Sequence, residues 1–180
     1  MIPRRSDPRA LISQRNALVA VARLLKQQPQ SLPIDAVLRM LVKVLDLVGA
    51  LAYRAEAGEL LLFAEHEVPA KARAWLATLK LDDEPCFVAQ RVARSGQAEL
   101  DMELAASRGG VSLRPTLEGA GWHALLAAPM AITGTVHGVL VCAACPKLTM
   151  PTETIALVEA VGILLGLALD REALLRPRGE

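Results

Sequence analysis

The hydrophobic pattern is most regular in residues 121–175, where it predicts two strands followed by one long helix. Residues 124–132 and 136–143 are apolar runs of strand length, and Thr133-Gly134-Thr135 separates them. Glycine adopts the positive φ that a tight hairpin turn requires, so the two runs are expected to pair as an antiparallel hairpin. The apolar period then becomes helical over residues 152–175.

This last helix lacks a polar stripe, because no charged residue lies between Glu159 and Asp170. A helix that covers one face of a sheet normally shows polar residues on its other face. We therefore expect the helix to bury two sides, one against the sheet and one against a second copy of the chain. The residues of this helix assigned to the dimer interface are Val158, Leu165 and Leu169.

Two amphipathic helices are predicted before the first strand. Ser6-Asp7-Pro8 is typical of a helix start, and the first helix is expected to run to Gln28. Its apolar face is expected to join the last helix in a dimer bundle, through Leu11, Leu18 and Leu25. A second helix is predicted from Ser31-Leu32-Pro33 to Gly49.

The middle of the chain predicts short strands and short helices. Residues 50–54 and 59–64 form a predicted strand pair around Ala57-Gly58, and residues 69–79 a short helix. A further helix is predicted to end at Gly96 after a cap formed by residues 82–85, followed by a strand at 97–101. Residues 102–121 predict a long glycine-rich loop.

This order of elements predicts an α+β fold, with a mostly antiparallel sheet of five or six strands flanked by helices. Pro129 is unusual, because proline removes a ladder hydrogen bond and its strand is expected to be central. We therefore expect a β-bulge at Pro129.

Composition narrows the classes of partner. The 180 residues carry a net charge of +1, which argues against a nucleic-acid surface, and only 3% are aromatic, which removes stacking platforms. No signal peptide is evident, and the uncharged run at 160–169 is shorter than the about 20 residues of a membrane span. Three cysteines suggest reduced thiols. We expect a cytoplasmic protein that binds neither nucleic acid nor membrane.

The run of apolar residues ending in Pro129-Met130, followed by Gly134, by Gly138-Val139-Leu140-Val141 and by a Thr-capped helix, resembles the C-terminal half of a GAF domain. GAF domains are small ligand-binding and dimerising modules of bacterial signalling proteins, phytochromes and cyclic-nucleotide phosphodiesterases. The resemblance extends back to Leu32. It implies a GAF-like domain at 32–176 that includes the C-terminal helix, preceded by an N-terminal helical segment at 1–31.

The resemblance also implies a ligand pocket between one face of the sheet and the elements that cross it, here residues 85–94 and 102–121. Candidate lining residues are Phe87, Arg91, Arg108, Arg114 and Trp122. The alternative is that the two aromatic residues belong to the core and the arginines to the surface. The Cys-His dipeptide of many phytochromes and the pattern of cyclic-nucleotide GAF domains are missing, so no cofactor is identified.

Few residues point to catalysis or metal binding. Cys142 and Cys145 have CxxC spacing, but the sequence offers no second pair to complete a zinc site. A GAF-related family reduces free methionine sulfoxide with cysteines clustered in the middle of the domain, where only Cys86 lies here. The histidines are isolated, although one at a strand end, His66 or His123, is a candidate haem ligand. Without a catalytic motif, the protein is predicted not to be an enzyme.

The leading hypothesis is a cytoplasmic GAF-like signalling module that homodimerises through its terminal helices. Since only residues 176–180 follow the last helix, output is expected through another signalling protein in trans. One alternative is a sensor of a small ligand such as haem or a nucleotide. A second alternative is a cysteine-based redox switch or thiol enzyme.

Overall fold

The computed structural model describes residues 8–27, 32–84, 87–104, 107–108, 111–145 and 150–175. The helices in this part of the chain are α1 (Pro8–Gln27), α2 (Ile34–Leu45), α3 (Ala70–Leu76), α4 (Val88–Ser95), α5 (Arg114–Gly119) and α6 (Thr152–Leu175). The strands are β1 (Gly49–Glu56), β2 (Glu59–His66), β3 (Thr78–Lys80), β4 (Glu99–Asp101), β5 (Ser107–Arg108), β6 (Val111–Ser112), β7 (Ala124–Ile132) and β8 (Thr135–Ala144).

Six strands form one sheet in the order β3-β2-β1-β8-β7-β4, and every neighbouring pair is antiparallel. The two hairpins have two-residue turns, Ala57-Gly58 and Thr133-Gly134, in which both residues have positive φ. Such turns match the twist of the strands they join. The predicted α+β fold with an antiparallel sheet is confirmed.

Helices cover both faces of the sheet and separate two hydrophobic clusters. Along β7, alternate side chains enter one cluster or the other, as the period of a strand requires. Helices α1, α2 and α6 contribute to the first cluster, which we call the α6-side core. Helices α3, α4 and α5 contribute to the second, which we call the α3-side core.

The second helix ends earlier than predicted. Helix α2 stops at Leu45, because Asp46 takes a left-handed conformation with φ 52°. Gly49 does not end the helix; it is the first residue of β1. A Cβ at Gly49 would lie 2.6 Å from the Trp122 ring, so the tertiary packing of the indole explains this glycine.

Within residues 69–121 the predicted helix end at Gly96 and the strand after it are confirmed, but other details were wrong. The helix at 69–79 ends at Leu76, and Thr78–Lys80 forms the edge strand β3. Acidic residues 82–84 do not cap α4, which begins at Val88 where the Phe87 N–H donates to Gln90 Oε1 at 2.6 Å. The predicted loop at 102–121 contains β5, β6 and α5. The predicted cap at Ser6-Asp7 lies outside the described residues.

A β-bulge lies close to the predicted place. Pro129 pairs regularly with Val139, and the register shifts after Met130, which pairs with Gly138. Ala131 then pairs with Val136, so His137 is the extra residue on β8. The bulge therefore lies on β8 at His137, opposite the step from Met130 to Ala131, and Pro129 itself is regularly paired.

Helix α6 is the one described helix that is long and apolar enough to cross a membrane by length and composition, with mean hydropathy 1.8. The uncharged run at 160–169 is short, but the helix around it has 24 residues. In this structure α6 packs on β7 and β8 and contributes to the α6-side core, as the central helix of a folded domain does.

Candidate functional site

The two aromatic residues of the predicted pocket are packed inside the α3-side core. Phe87 and Trp122 are fully buried, and the rings of Phe87 and Trp75 pack edge to face with 6.0 Å between their centroids. Both positions agree with the alternative that these residues belong to the core.

Arg91 holds α4 to the edge strand β4. Its Nη2 lies 2.6 Å from Glu99 Oε1 and 2.8 Å from Asp101 Oδ2, and its Nε donates to Glu99 at 2.7 Å. Burial opposes the charge of Arg91, but the hydrogen bonds to Glu99 and Asp101 outweigh burial and raise its pKa. The Arg91 guanidinium therefore forms ion pairs with two carboxylates of the same domain, those of Glu99 and Asp101.

The remaining two arginines of the predicted pocket lie elsewhere. Arg114 is exposed at the start of α5, and its Nε donates to Glu118 Oε1 one turn later at 2.7 Å. This hydrogen bond raises the pKa of Arg114. Arg108 lies on β5, and its side chain is outside the described part of the chain. A common pocket for the five residues stays a prediction.

The thiols differ in exposure. Cys142 is fully buried in the α6-side core, and desolvation raises its pKa to about 12. Cys145 is partly exposed, and Cys86 lies outside the described residues. Because the thiolate is the reactive form, Cys142 is a structural residue at neutral pH. Among the described residues, no cluster of three metal-binding side chains occurs.

Two surface depressions adjoin the domain core. One is a cleft of about 410 Å³ between the start of α3 and α5, lined by Pro69, Ala70, Lys71, Pro115, Thr116, Gly119 and Ala120. The other is a crevice of about 180 Å³ between β1, β8 and the end of α6. There Arg54 Nη2 donates to Glu172 Oε2 at 2.9 Å, and His137 Nε2 lies 3.6 Å from Asp170 Oδ1.

Helix α6 presents a different face to the surface from the one assigned by sequence. Val158, Leu165 and Leu169 face the sheet and are buried in the monomer, so they are not available to a second copy. Ile163 and Leu167 are the exposed residues at the middle of the helix, at 54% and 51%. The assignment of the three buried residues to a dimer interface was wrong, because the uncharged run at 160–169 is apolar on every side and does not show which side meets the sheet.

Helix α1 lies beside α6 and contributes Ala17 and Val21 to the buried residues. Leu18 and Leu25 are partly buried against the α6-side core, and the side chain of Leu11 is outside the described part. Val19 is exposed. Six large hydrophobic side chains are exposed in the described part of the chain. Five of them lie on the outer surface of α1 and α6, namely Val19, Ile163, Leu167, Leu174 and Leu175.

Comparison with protein families matches residues 33–169 to the GAF domain. Comparison with curated protein sequences gives no match. Among solved structures, the chain is similar to the GAF domain of nlh2 from A. Aeolicus in an inactive state, with 15% identity and a TM-score of 0.66 over 89% of this chain and 98% of that one. It is also similar to the GAF domain of a putative sensor histidine kinase from Pseudomonas syringae pv. tomato, with 18% identity and a TM-score of 0.62 over 93% of each chain.

A third similar structure is a free methionine-R-sulfoxide reductase from Neisseria meningitidis in complex with its substrate. It shares 10% identity and a TM-score of 0.70 over 94% of this chain and 95% of that one. The prediction, made from the lack of a catalytic motif, that the protein is not an enzyme was therefore wrong, because enzymes share this architecture. The likeness itself concerns the fold alone.

Proposed function

The chain belongs to the GAF domain family, and we propose that it is a cytoplasmic signalling module that homodimerises and acts on another signalling protein in trans. The observation that carries the proposal is the exposed stripe of α6. Ile163 and Leu167 stand at its centre, and Glu159 and Arg171 lie on either side of them along the same exposed stripe. Apolar side chains between exposed charges are typical of a protein interface core with a polar rim.

The spacing of this stripe supports an antiparallel pairing of two α6 helices. A two-fold axis midway between Ile163 and Leu167 places each of them opposite the other residue of the second copy. The same axis places Glu159 opposite Arg171 of the second copy. Neither charge has an ion-pair partner among the described residues of its own chain. A two-fold contact uses one surface twice, which requires this kind of self-complementarity.

Reciprocal charge exchange tests the pairing. We expect Glu159→Arg alone and Arg171→Glu alone to weaken the dimer, since each brings like charges together across the axis. The double variant Glu159→Arg/Arg171→Glu should restore it. Sedimentation velocity at several protein concentrations gives the dissociation constant of each variant.

The apolar centre is tested separately by Ile163→Asp, which should give a folded monomer. Met102→Asp is the matched control, because Met102 is exposed at 62% but lies outside α1 and α6. A wild-type protein that is monomeric at micromolar concentration would contradict the proposed dimer. So would a double charge variant no tighter than the two single ones.

Action in trans is tested by affinity capture from native lysate with wild-type and Ile163→Asp proteins side by side. A partner that depends on the dimer should be enriched by the wild type and lost with Ile163→Asp. The double charge-exchange variant should capture it as well as the wild type does. Equal recovery of every protein by the three baits would contradict a partner that recognises the dimer.

A further inference from the structure

Helix α1 is strongly basic in an otherwise acidic chain. Its charged residues are Arg9, Arg15, Arg23 and Lys26, and its sequence contains no aspartate or glutamate. Residues 1–27 together contain six basic residues and one acidic residue, which is a net charge of +5. Since the whole chain has a net charge of +1, residues 28–180 carry −4. Such an asymmetry is typical of a segment that meets a partner of opposite charge.

Three cations share the exposed face of α1. Arg15, Arg23 and Lys26 are exposed, whereas Ala17 and Val21 on the opposite side of the helix are buried. At 3.6 residues per turn, Arg23 is rotated about 80° from Arg15, and Lys26 about 20°. The same geometry places Arg15 and Lys26 about 16 Å apart along the helix axis. The three side chains therefore form one basic row along α1.

No residue of the described part of the chain forms an ion pair with this basic row. The exposed side chains of Arg73, Arg94 and Arg114 behave differently, because each of them pairs with a glutamate of the same domain. The charge of the basic row is therefore available to a partner.

Two small apolar residues lie within the basic row. Val19 is 43% exposed, and Ala22 is also exposed. Both lie between Arg15 and Lys26 in the sequence and on the same face of the helix. An apolar centre with charges around it is typical of a protein interface. Small side chains at this centre also allow a second helix to pack closely.

The surface next to the basic row distinguishes between classes of anionic partner. Helix α6 lies beside α1 and exposes Glu159. A membrane surface or a nucleic-acid duplex is broad enough to extend over α6 as well, where it would meet this carboxylate and be repelled. A single helix is only about 10 Å wide, so it can follow α1 alone. The shape of the basic surface therefore favours a helix as the partner.

We propose that the exposed face of α1 docks an acidic amphipathic helix of the protein on which this module acts. Carboxylates along one face of that helix pair with Arg15, Arg23 and Lys26, and its small apolar residues contact Val19 and Ala22. This inference rests on the action in trans proposed above and adds the chemistry of the partner. Exposed charges are screened by salt, so the complex weakens as the ionic strength rises.

The test uses the full chain and two synthetic alanine-based peptides of about 20 residues, a length at which an isolated helix forms. One peptide carries glutamates at every third or fourth position, so that they share one face. The other has the same composition with its glutamates spread around the helix. Fluorescence anisotropy of the labelled peptides gives the dissociation constants. We expect the one-faced peptide to bind at least about tenfold more tightly at low salt.

Charge reversal locates the binding surface. Arg23→Glu/Lys26→Glu should weaken binding of the one-faced peptide at least about tenfold, because two attractions become repulsions. Lys71→Glu/Lys80→Glu is the matched control, since it changes the net charge equally at exposed residues of α3 and β3. It should bind as the wild type does. Should the first variant fold poorly, Arg23→Gln/Lys26→Gln removes the same charges without repulsion and should weaken binding about threefold.

Equal binding of the two peptides, or equal weakening by the two charge-reversal variants, would overturn the proposal as an effect of net charge alone. Absence of saturable binding would overturn it as well. So would tighter binding to vesicles of phosphatidylcholine and phosphatidylserine, or to a DNA duplex, if Arg23→Glu/Lys26→Glu abolished it. That result would assign the basic row to a membrane or to nucleic acid.

Sedimentation velocity separates this inference from the dimer. Arg23→Glu/Lys26→Glu should sediment as the wild type does, because the basic row lies outside the exposed stripe of α6. A dimeric wild type that binds neither peptide would contradict the docking of an acidic helix and leave the dimer intact. A monomeric wild type that binds the one-faced peptide would contradict the dimer and support the docking surface.

Discussion

Gly162 of α6 lies directly against the carbonyl of Pro129 in β7, and a Cβ at this glycine would be 2.7 Å from that oxygen. One turn later, a Cβ at Gly166 would be 2.9 Å from the carbonyl carbon of Met130. These two glycines allow the helix backbone to approach the strand backbone more closely than any side chain permits. The contacts of Gly162 and Gly166 with β7 set the distance between α6 and the sheet.

Gly162→Ala should destabilise the protein by about 1–3 kcal/mol, because the added methyl group meets backbone that cannot move aside. Urea unfolding measures the loss. Gly119→Ala is the matched control, since no atom lies within 4 Å of a Cβ there and its φ is not positive. That variant should be neutral or gain up to about 1 kcal/mol, because alanine restricts the unfolded chain. Equal losses at the two positions would contradict the packing argument.

The two faces of α6 predict opposite results for two leucines. Leu165→Ala should cost about 2–5 kcal/mol, since Leu165 is fully buried and its truncation leaves a cavity. Leu167→Ala should change the stability of the monomer by less than about 0.5 kcal/mol, because half of Leu167 is exposed. Chemical unfolding in the Ile163→Asp background, where dimerisation is absent, provides the comparison. A large loss at Leu167 instead would mean that the helix faces were assigned wrongly.

The two carboxylates that contact Arg91 should differ in importance. Asp101 has a side chain only 4% exposed, whereas that of Glu99 is 38% exposed. Asp101→Asn should destabilise the protein by about 3 kcal/mol, since it leaves a guanidinium without its buried counter-charge. Glu99→Gln should cost at most about 1 kcal/mol, because water screens this pair. Guanidinium chloride unfolding of the two variants decides between this order and its reverse.

Alkaline pH should destabilise the fold partly through Cys142. Its pKa is raised to about 12 in the folded protein, so the thiol stays protonated there while the unfolded chain ionises at its ordinary value near 9. The unfolded state therefore binds fewer protons between these two values, and stability falls as pH rises through that window. Cys142→Ala should reduce the slope of stability against pH by about 1.4 kcal/mol per unit.

The burial of Cys142 also predicts that its thiol is alkylated slowly. At pH 8, iodoacetamide should modify Cys145 well before Cys142, because Cys145 is partly exposed and Cys142 is buried and protonated. Mass spectrometry of the digested protein locates the label. Labelling of Cys142 at the rate of the unfolded chain would show that its strand opens readily.

The main strands and the longest helices could be predicted from the sequence, because their hydrophobic periods are local properties. The turns at Ala57-Gly58 and Thr133-Gly134 were evident for the same reason. The short strand Thr78–Lys80 was missed, since three residues carry no period and the strand is defined by its pairing with β2. The α4 cap was also missed, because it depends on a glutamine hydrogen bond to a backbone N–H.

The candidate site was less predictable than the fold. Phe87 and Trp122 could be core or pocket residues by sequence, and only their burial separates the two possibilities. The ion pairs of Arg91 join residues from α4 and β4, whose proximity depends on the sheet order.

The sequence by itself determined that α6 is a long helix with almost no charge, and that it follows an antiparallel hairpin. It did not determine which side of α6 meets the sheet, because the central run at 160–169 is apolar on every side and is compatible with many rotations. The tertiary structure decided the rotation through Gly162 and Gly166, which alone allow close approach to β7. Leu165 was thereby turned into the core and Leu167 to the surface, since side chains on a helix keep fixed angular relations to one another.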